Sequence, residues 1–214
     1  MTQTLTQKQI DDLDRMNVAS QRAGGLGTFL MGGASLPDAG TLKPVVFVKY
    51  TTTPALGTAT ATKAAIPLTA SAQTGVTAGI TQPDFPRVLS AKGNASGITG
   101  NVVISGTDAA DAVITDTIAL NGATEVAGAK AFKTVTSINY PAESHAGTDT
   151  VSIGRQNLIG FLVAIPNASQ VVAKSFNGAV DAGSVTAAAT VAGSLYTPAG
   201  TLDGAKLLEL TYFA

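Results

Sequence analysis

Gly79-Ile-Thr-Gln-Pro-Asp-Phe-Pro-Arg87 runs into Asn94-Ala-Ser-Gly-Ile-Thr-Gly100, then Asn101-Val-Val-Ile-Ser-Gly-Thr107 and Val113-Ile-Thr-Asp-Thr-Ile-Ala-Leu-Asn-Gly122. In the last piece Ile114, Asp116, Ile118 and Leu120 fall on one side of an extended chain, and Val113, Thr115, Thr117 and Ala119 on the other. One face is apolar enough to bury, so this piece reads as a strand, and Val102–Ile104 reads the same way. Asn121-Gly122 closes the run; Asn-Gly is the favoured centre of a tight type I′ hairpin, where both central residues take positive φ.

Strand-like runs continue in both directions from this segment. Val45-Val-Phe-Val48, running on to Tyr50, is β-branched and aromatic, which predicts a strand buried on both faces. Downstream candidates are Phe132–Tyr140, Asp149–Ile153, Gln170–Ser175, Ser184–Val191 and Leu207–Phe213. The Ala/Thr-rich stretches 58–62 and 69–72 read equally as strand or exposed loop. Many short runs separated by Gly, Pro, Asn and Asp predict a mainly β protein. The expected fold is an antiparallel β-sandwich (Ig-like or jelly-roll-like) over residues 41–214, with 41–78 either inside it or a separate small layer.

Residues 1–40 are written differently and read as an N-terminal helical arm. Thr6 and Gln9 have the spacing of a capping box, and Leu5 and Ile10 that of a hydrophobic staple, so a helix is expected to start near Thr6. Ile10, Leu13 and Met16 form a narrow apolar stripe, with Asp11, Asp12 and Asp14 off it. Gly24-Gly-Leu-Gly27, Gly32-Gly33, Pro37 and Gly40 then interrupt the pattern. A stripe this narrow docks on one surface and makes no core of its own. That surface is either the chain's own sandwich or a neighbouring molecule, with Leu5, Ile10, Leu13 and Met16 as the contact residues.

Composition bounds the possibilities. A chain of 214 residues is long enough to bury a real core, but aromatics make up 5% and Trp is absent, so that core rests on Val, Ile, Leu and Ala. With 45% apolar residues and a formal net charge of −1, the chain is expected to fold. Charged residues are 13%, about half the usual share, which keeps copies apart weakly and suits a protein packed against something. Cysteine is absent, so disulfides and thiolate metal sites are excluded. No apolar run reaches bilayer-spanning length, the N-terminus lacks the apolar core of a signal peptide, and the charge gives no footprint for nucleic acid.

Sites of chemistry are sparse. His145, the single histidine, stands beside Ser144 and near Glu143 and Asp149, but Pro141 and Gly147 place it in a loop, and no nucleophile elbow accompanies it. It reads as a solvated loop residue. Asp108, Asp111 and Asp116 lack the spacing of a calcium loop and read as a solvated polar edge. Gly24–Gly27 lacks the Lys-Ser/Thr ending of a phosphate loop and reads as a hinge. Asn94-Ala-Ser96 and Asn167-Ala-Ser169 read as ordinary turns, and Tyr50, Tyr140, Tyr196 and Tyr212 as caps on sheet edges rather than a stacking platform. No catalytic, cofactor or metal site is expected.

Four pieces of the chain carry a resemblance: Ile80-Thr-Gln-Pro-Asp-Phe-Pro-Arg87, the Asn94–Gly97 turn, Thr117–Gly122 with Ala129–Val135, and Tyr196–Gly204 before a terminal strand. In these pieces and their order the chain resembles tailed-bacteriophage virion proteins encoded among head genes, the head decoration, cement or head-fibre type. The resemblance implies a non-enzymatic protein, homotrimeric, bound to the major capsid protein on the capsid exterior and made in the host cytoplasm. Two other readings stand beside it. One is a tail or baseplate component with the same need for self-association; the other is a carbohydrate-binding adhesin module, which the absence of Trp disfavours.

Overall fold

The eleven-residue strand Thr150–Gly160 joins both halves of the fold in a computed structural model that describes residues 46–145 and 148–213. In chain order the strands are β1 (Phe47–Thr52), β2 (Lys63–Pro67), β3 (Gln73–Val76), β4 (Arg87–Gly93), β5 (Asn101–Thr107), β6 (Val113–Ala119) and β7 (Val126–Phe132). They continue as β8 (Thr134–Tyr140), β9 (Thr150–Gly160), β10 (Val171–Phe176), β11 (Ala179–Val180), β12 (Ser184–Thr186), β13 (Leu195–Thr197) and β14 (Leu208–Phe213). Among the described residues these strands build three antiparallel sheets. Sheet A has the order β1-β14-β10-β11; sheet B the order β12-β13-β9-β4-β7, with β2 also on β9; and sheet C the order β3-β8-β5-β6. Residues 46–78 thus give one strand to each sheet.

Alternating sequence builds the buried faces. In β5 and β6, Val102, Ile104 and Ile118 point inward with Leu120 just beyond, and they meet Leu89 and Ala91 of β4, Ile138 and Tyr140 of β8, and Val151 and Ile153 of β9. A second core gathers Ile159 at the far end of β9 with Phe161, Tyr196, Leu208, Leu210 and Tyr212. Strand β9 therefore serves both cores. The ring of Phe161 meets Tyr212 edge-on at 5.1 Å, a favoured aromatic geometry. Each fully buried Leu, Ile or Val contributes about 1.5–3 kcal/mol, so the two clusters dominate cohesion.

Several sequence expectations are corrected. The run 45–48 is not buried on both faces: β1 pairs with β14 alone, and Val46 and Phe47 are exposed. The tyrosines do not cap edges, for Tyr140, Tyr196 and Tyr212 are fully buried in the cores. Phe132–Tyr140 is two strands, because the chain changes from sheet B to sheet C at Lys133, whose N–H donates to Thr107 O at 2.8 Å. The run 184–191 keeps strand form only over Ser184–Thr186.

Asn121-Gly122 makes no type I′ hairpin either. Gly122 has φ +56°, Asn121 is not in the positive-φ region, and the turn carries the chain from sheet C to sheet B. Gly122 N–H donates to Ile98 O at 2.9 Å and its carbonyl accepts from Gly93 at 3.0 Å, so tertiary bonds set this turn. The doubly positive pair occurs instead at Asn177 (φ +53°) and Gly178 (φ +79°), between paired Phe176 and Ala179. The helical arm expected over residues 1–40, with its hinge at Gly24–Gly27, lies outside the described residues, as do Leu5, Ile10, Leu13 and Met16.

Candidate functional site

The Pro-Asp-Phe-Pro-Arg piece places a charged cluster against the start of β4. Arg87 is fully buried; its Nη2 donates to Ala55 O at 2.7 Å, its Nε to Gln156 O at 3.1 Å, and its Nη1 to the two Asp84 oxygens at 3.2 and 3.3 Å. Its guanidinium carbon also lies 4.8 Å from the Phe85 ring centroid. Burial lowers the pKa of Arg87, and the Asp84 charge opposes that shift. Arg155, on β9, brings Nη1 to 3.5 Å from Asp84 Oδ1. Just upstream, the Gln82 side chain copies a strand partner: Oε1 accepts from Val135 N–H at 2.7 Å and Nε2 donates to Val135 O at 2.9 Å. The segment that reads most distinctively in sequence is therefore a clamp between sheets and loops.

The Ser144-His145-Asp149 group does not assemble as a nucleophile and base. The Ser144 Oγ accepts from Thr99 N–H at 3.0 Å and donates to Thr99 O at 3.3 Å, which fastens the 94–100 turn. His145 Nδ1 lies 3.1 Å from Asp149 Oδ1, and His145 N–H donates to Asp149 Oδ2 at 3.0 Å. The ring is 40% exposed and packs over Gly97, where a Cβ would sit 2.2 Å from it. No hydrogen bond joins the Ser144 hydroxyl to the His145 ring among the described residues, so the proton transfer that would activate Ser144 lacks its path.

The three aspartates separate, which corrects the solvated edge read from sequence. Asp108 is buried and accepts from Ala110 and Ala112 N–H at 2.9 and 3.1 Å, organising its own turn. Asp116 is buried and accepts across sheets from Ala129 and Lys130 N–H at 2.7 and 3.1 Å. Asp111 is exposed and pairs with Lys133 at 2.7 Å. No group of three metal-capable side chains occurs among the described residues. The Asn-Ala-Ser turns are likewise structural: Asn94 brackets Thr148 O and Thr150 N–H, and Asn167 caps the 3-10 turn Ala168–Gln170 in a reciprocal box with Gln170.

Sequence reading missed Asp181, which lies buried and accepts from the Tyr196 hydroxyl and from Ala199 N–H. A single Asp gives no local signal of a contact fifteen residues away. It also missed the exposed apolar strip. Phe47 is 64% exposed and packs against Phe213 across the β1–β14 pair with ring centroids 4.5 Å apart and planes tilted by 50°, with Val46 53% exposed beside it and Val172 exposed in the β10 bulge on the other side of β14. Among the described residues β1 has no partner strand on its outer side, which makes it an edge of sheet A there. Compared with protein-family models, curated proteins and solved structures, the chain shows no match.

Proposed function

We propose that this protein is a non-enzymatic structural component of a tailed-phage virion, a decoration or cement protein bound to the outer surface of the major capsid protein shell. In this reading the two cores are two β-sandwich-like lobes sharing β9, and the chain acts as a homotrimer at local three-fold positions. The observation that carries the reading is the apolar edge of β1, where Val46 and Phe47 stand exposed and the side of β1 away from β14 has no partner strand among the described residues. Such an edge suits addition of a partner strand or surface. The side chains an enzyme would use support it further, since Ser144, Asp116 and Asp181 are spent on backbone hydrogen bonds or a tyrosine hydroxyl. Many equivalent contacts over a shell would supply avidity from individually weak ones.

The test is to incubate the purified protein with expanded shells of its phage that lack it. Saturable binding, with added resistance to heat and osmotic shock, is expected, and Phe47→Ser should weaken binding while leaving the melting midpoint nearly unchanged. No binding to the expanded shell overturns the reading.

A further inference from the structure

Three Asx-Gly bonds occur in the chain, at Asn121-Gly122, Asn177-Gly178 and Asp203-Gly204. In each, the glycine nitrogen can attack the side-chain carbonyl carbon of the residue before it, since no Cβ hinders the approach, and the fold decides whether that nitrogen is free to reach. Two of the three are held. Gly122 is buried, and its N–H donates to Ile98 O at 2.9 Å. Gly204 N–H donates to Pro54 O at 2.9 Å, and the Asp203 carboxylate takes the Ala205 and Lys206 N–H groups at 3.0 and 2.9 Å. Gly178 differs in each respect. It is exposed, a Cβ there would meet nothing within 4 Å, and neither its N–H nor the exposed Asn177 side-chain amide has a hydrogen-bond partner among the described residues. Asn177 N–H is anchored to Leu207 O at 2.8 Å, and beyond the turn Asp181 N–H is anchored to Lys174 O at 3.0 Å. Between these anchors Gly178, Ala179 and Val180 are all exposed, Val180 at 91%, and only the pairs Ser175–Val180 and Phe176–Ala179 hold them on the outer strand of sheet A. Lifting them away uncovers little apolar surface, so this hairpin opens at low cost.

We propose that Asn177 is a site of spontaneous deamidation, with Gly178 as the attacking group and solvent water as the only co-reactant. Opening of the hairpin lets the Asn177 Cα–C bond rotate out of the turn conformation, so that Gly178 N comes onto Asn177 Cγ. The N–Cγ bond forms, the Gly178 proton passes through solvent to the departing amide nitrogen, and the Cγ–Nδ2 bond breaks with loss of ammonia to leave a succinimide. Water then adds to one of the two ring carbonyls. Breaking the new N–Cγ bond gives aspartate, whereas breaking the original peptide bond gives isoaspartate, whose main chain runs on through Cγ. The isoaspartyl product adds a methylene to the backbone of a two-residue turn with φ of +53° at Asn177 and +79° at Gly178, and it sets a carboxylate there. A turn of that length has no place for an extra backbone atom, so β11 leaves sheet A and the outer side of β10 is uncovered. The site does not depend on the capsid reading.

Ageing the full chain in mildly alkaline buffer, with peptide mapping by mass spectrometry that separates the asparagine, aspartate and isoaspartate forms, tests this. Both Asn121 and Asn177 are followed by Gly-Ala, so their intrinsic chemistry matches and a difference in rate reports the fold. In the folded chain Asn177 should convert at least tenfold faster than Asn121, and in guanidinium the two should convert at the same rate. A folded-state difference below tenfold, or one that persists in guanidinium, overturns the inference. Asn177→Asp supplies the charge without the added methylene. The Asp181 amide should exchange with solvent at least tenfold faster in the isolated isoaspartyl chain than in Asn177→Asp, and equal exchange in the two overturns the release of β11.

Discussion

The Asp116 carboxylate on β6 accepts the Ala129 N–H on β7 at 2.7 Å, and so ties sheet C to sheet B where their strands share no ladder. Lys130 N–H adds a second bond at 3.1 Å to the same oxygen, and Thr117 N–H reaches the other at 3.0 Å. Gly128 is what allows the approach, since a Cβ there would lie 2.3 Å from Asp116 Oδ2. Replacing Asp116 with Ala would leave two N–H groups on β7 without acceptors. The expected loss is about 3 kcal/mol, measured by urea denaturation, with Asp116→Asn intermediate because its amide keeps one acceptor oxygen. An unchanged midpoint for Asp116→Ala would show that water replaces the carboxylate.

Asp111 occupies a conformation that favours glycine. Its φ is +63°, at the end of the Asp108–Asp111 turn between β5 and β6. Its pair with Lys133 is exposed and therefore worth about 1 kcal/mol at most. Both Asp111→Ala and Asp111→Gly remove that pair, but Ala keeps the steric cost of the left-handed region. Gly is expected to be the more stable of the two by about 1 kcal/mol in matched thermal melts. Equal stabilities would mean the turn relaxes to another form.

Alkaline stability follows from the buried tyrosines. Burial raises the pKa of Tyr50 and Tyr140, and it is the largest cause for Tyr196 and Tyr212 as well. A folded pKa above the unfolded value gives stability that is complete below the unfolded pKa, near 10, and is lost as pH rises toward the folded one. The fold should therefore lose stability above about pH 10. Tyrosinate absorbance for these residues should appear together with the loss of far-ultraviolet strand signal, whereas a smooth titration of the folded protein would refute the assignment.

At the acid end the sign reverses. Asp203 is held down to about 2, first by the Lys206 N–H and then by the Ala205 N–H and the Lys206 side chain. The Lys49 side chain, with Ser175, lowers Glu209. A depressed carboxylate contributes stability above its unfolded pKa, near 4, that is lost as pH falls through the folded value. The melting difference between the unmodified chain and Asp203→Ala is expected to be constant above about pH 5 and to shrink toward about pH 2. A difference independent of pH would assign the effect to turn geometry instead of charge.

How far the fold could be read from sequence depended on where each strand finds its partners. β5, β6 and β14 alternate cleanly because one face meets a core and the other meets solvent, and their burial follows that alternation. β4 was illegible for the opposite reason. Arg87-Val-Leu-Ser-Ala-Lys-Gly93 looks polar and broken, yet it lies between β7 and β9 with six of its seven residues buried, its Arg paired with Asp84 and its Ser hydroxyl donating to Glu125. Asp84 is only three residues from Arg87, but Glu125 and the flanking strands β7 and β9 arrive only when distant chain segments meet. The run at 45–48 misled because apolar strength says nothing about edge position. Arg155 shares this difficulty, since one arginine in a strand carries no local sign that its neighbour has already claimed the shared carboxylate.

Gln82 offers the last test, on the segment that reads most distinctively. Its amide holds both the N–H and the carbonyl of Val135, at 2.7 and 2.9 Å, where β8 shifts register against β5. A backbone-like pair of bonds to a buried residue requires a donor and an acceptor on one planar group, which glutamine has and glutamate lacks. Gln82→Glu keeps the acceptor for Val135 N–H but sets a carboxylate against the Val135 carbonyl. Gln82→Met keeps the length and loses both bonds. Each variant is expected to lose about 1–2 kcal/mol, and the Val135 amide should exchange with solvent at least tenfold faster in Gln82→Met than in the unmodified chain. Unchanged exchange at Val135 would mean that the strand ladder, not the Gln82 side chain, protects it, and that the clamp at this end rests on Arg87 and Asp84 alone.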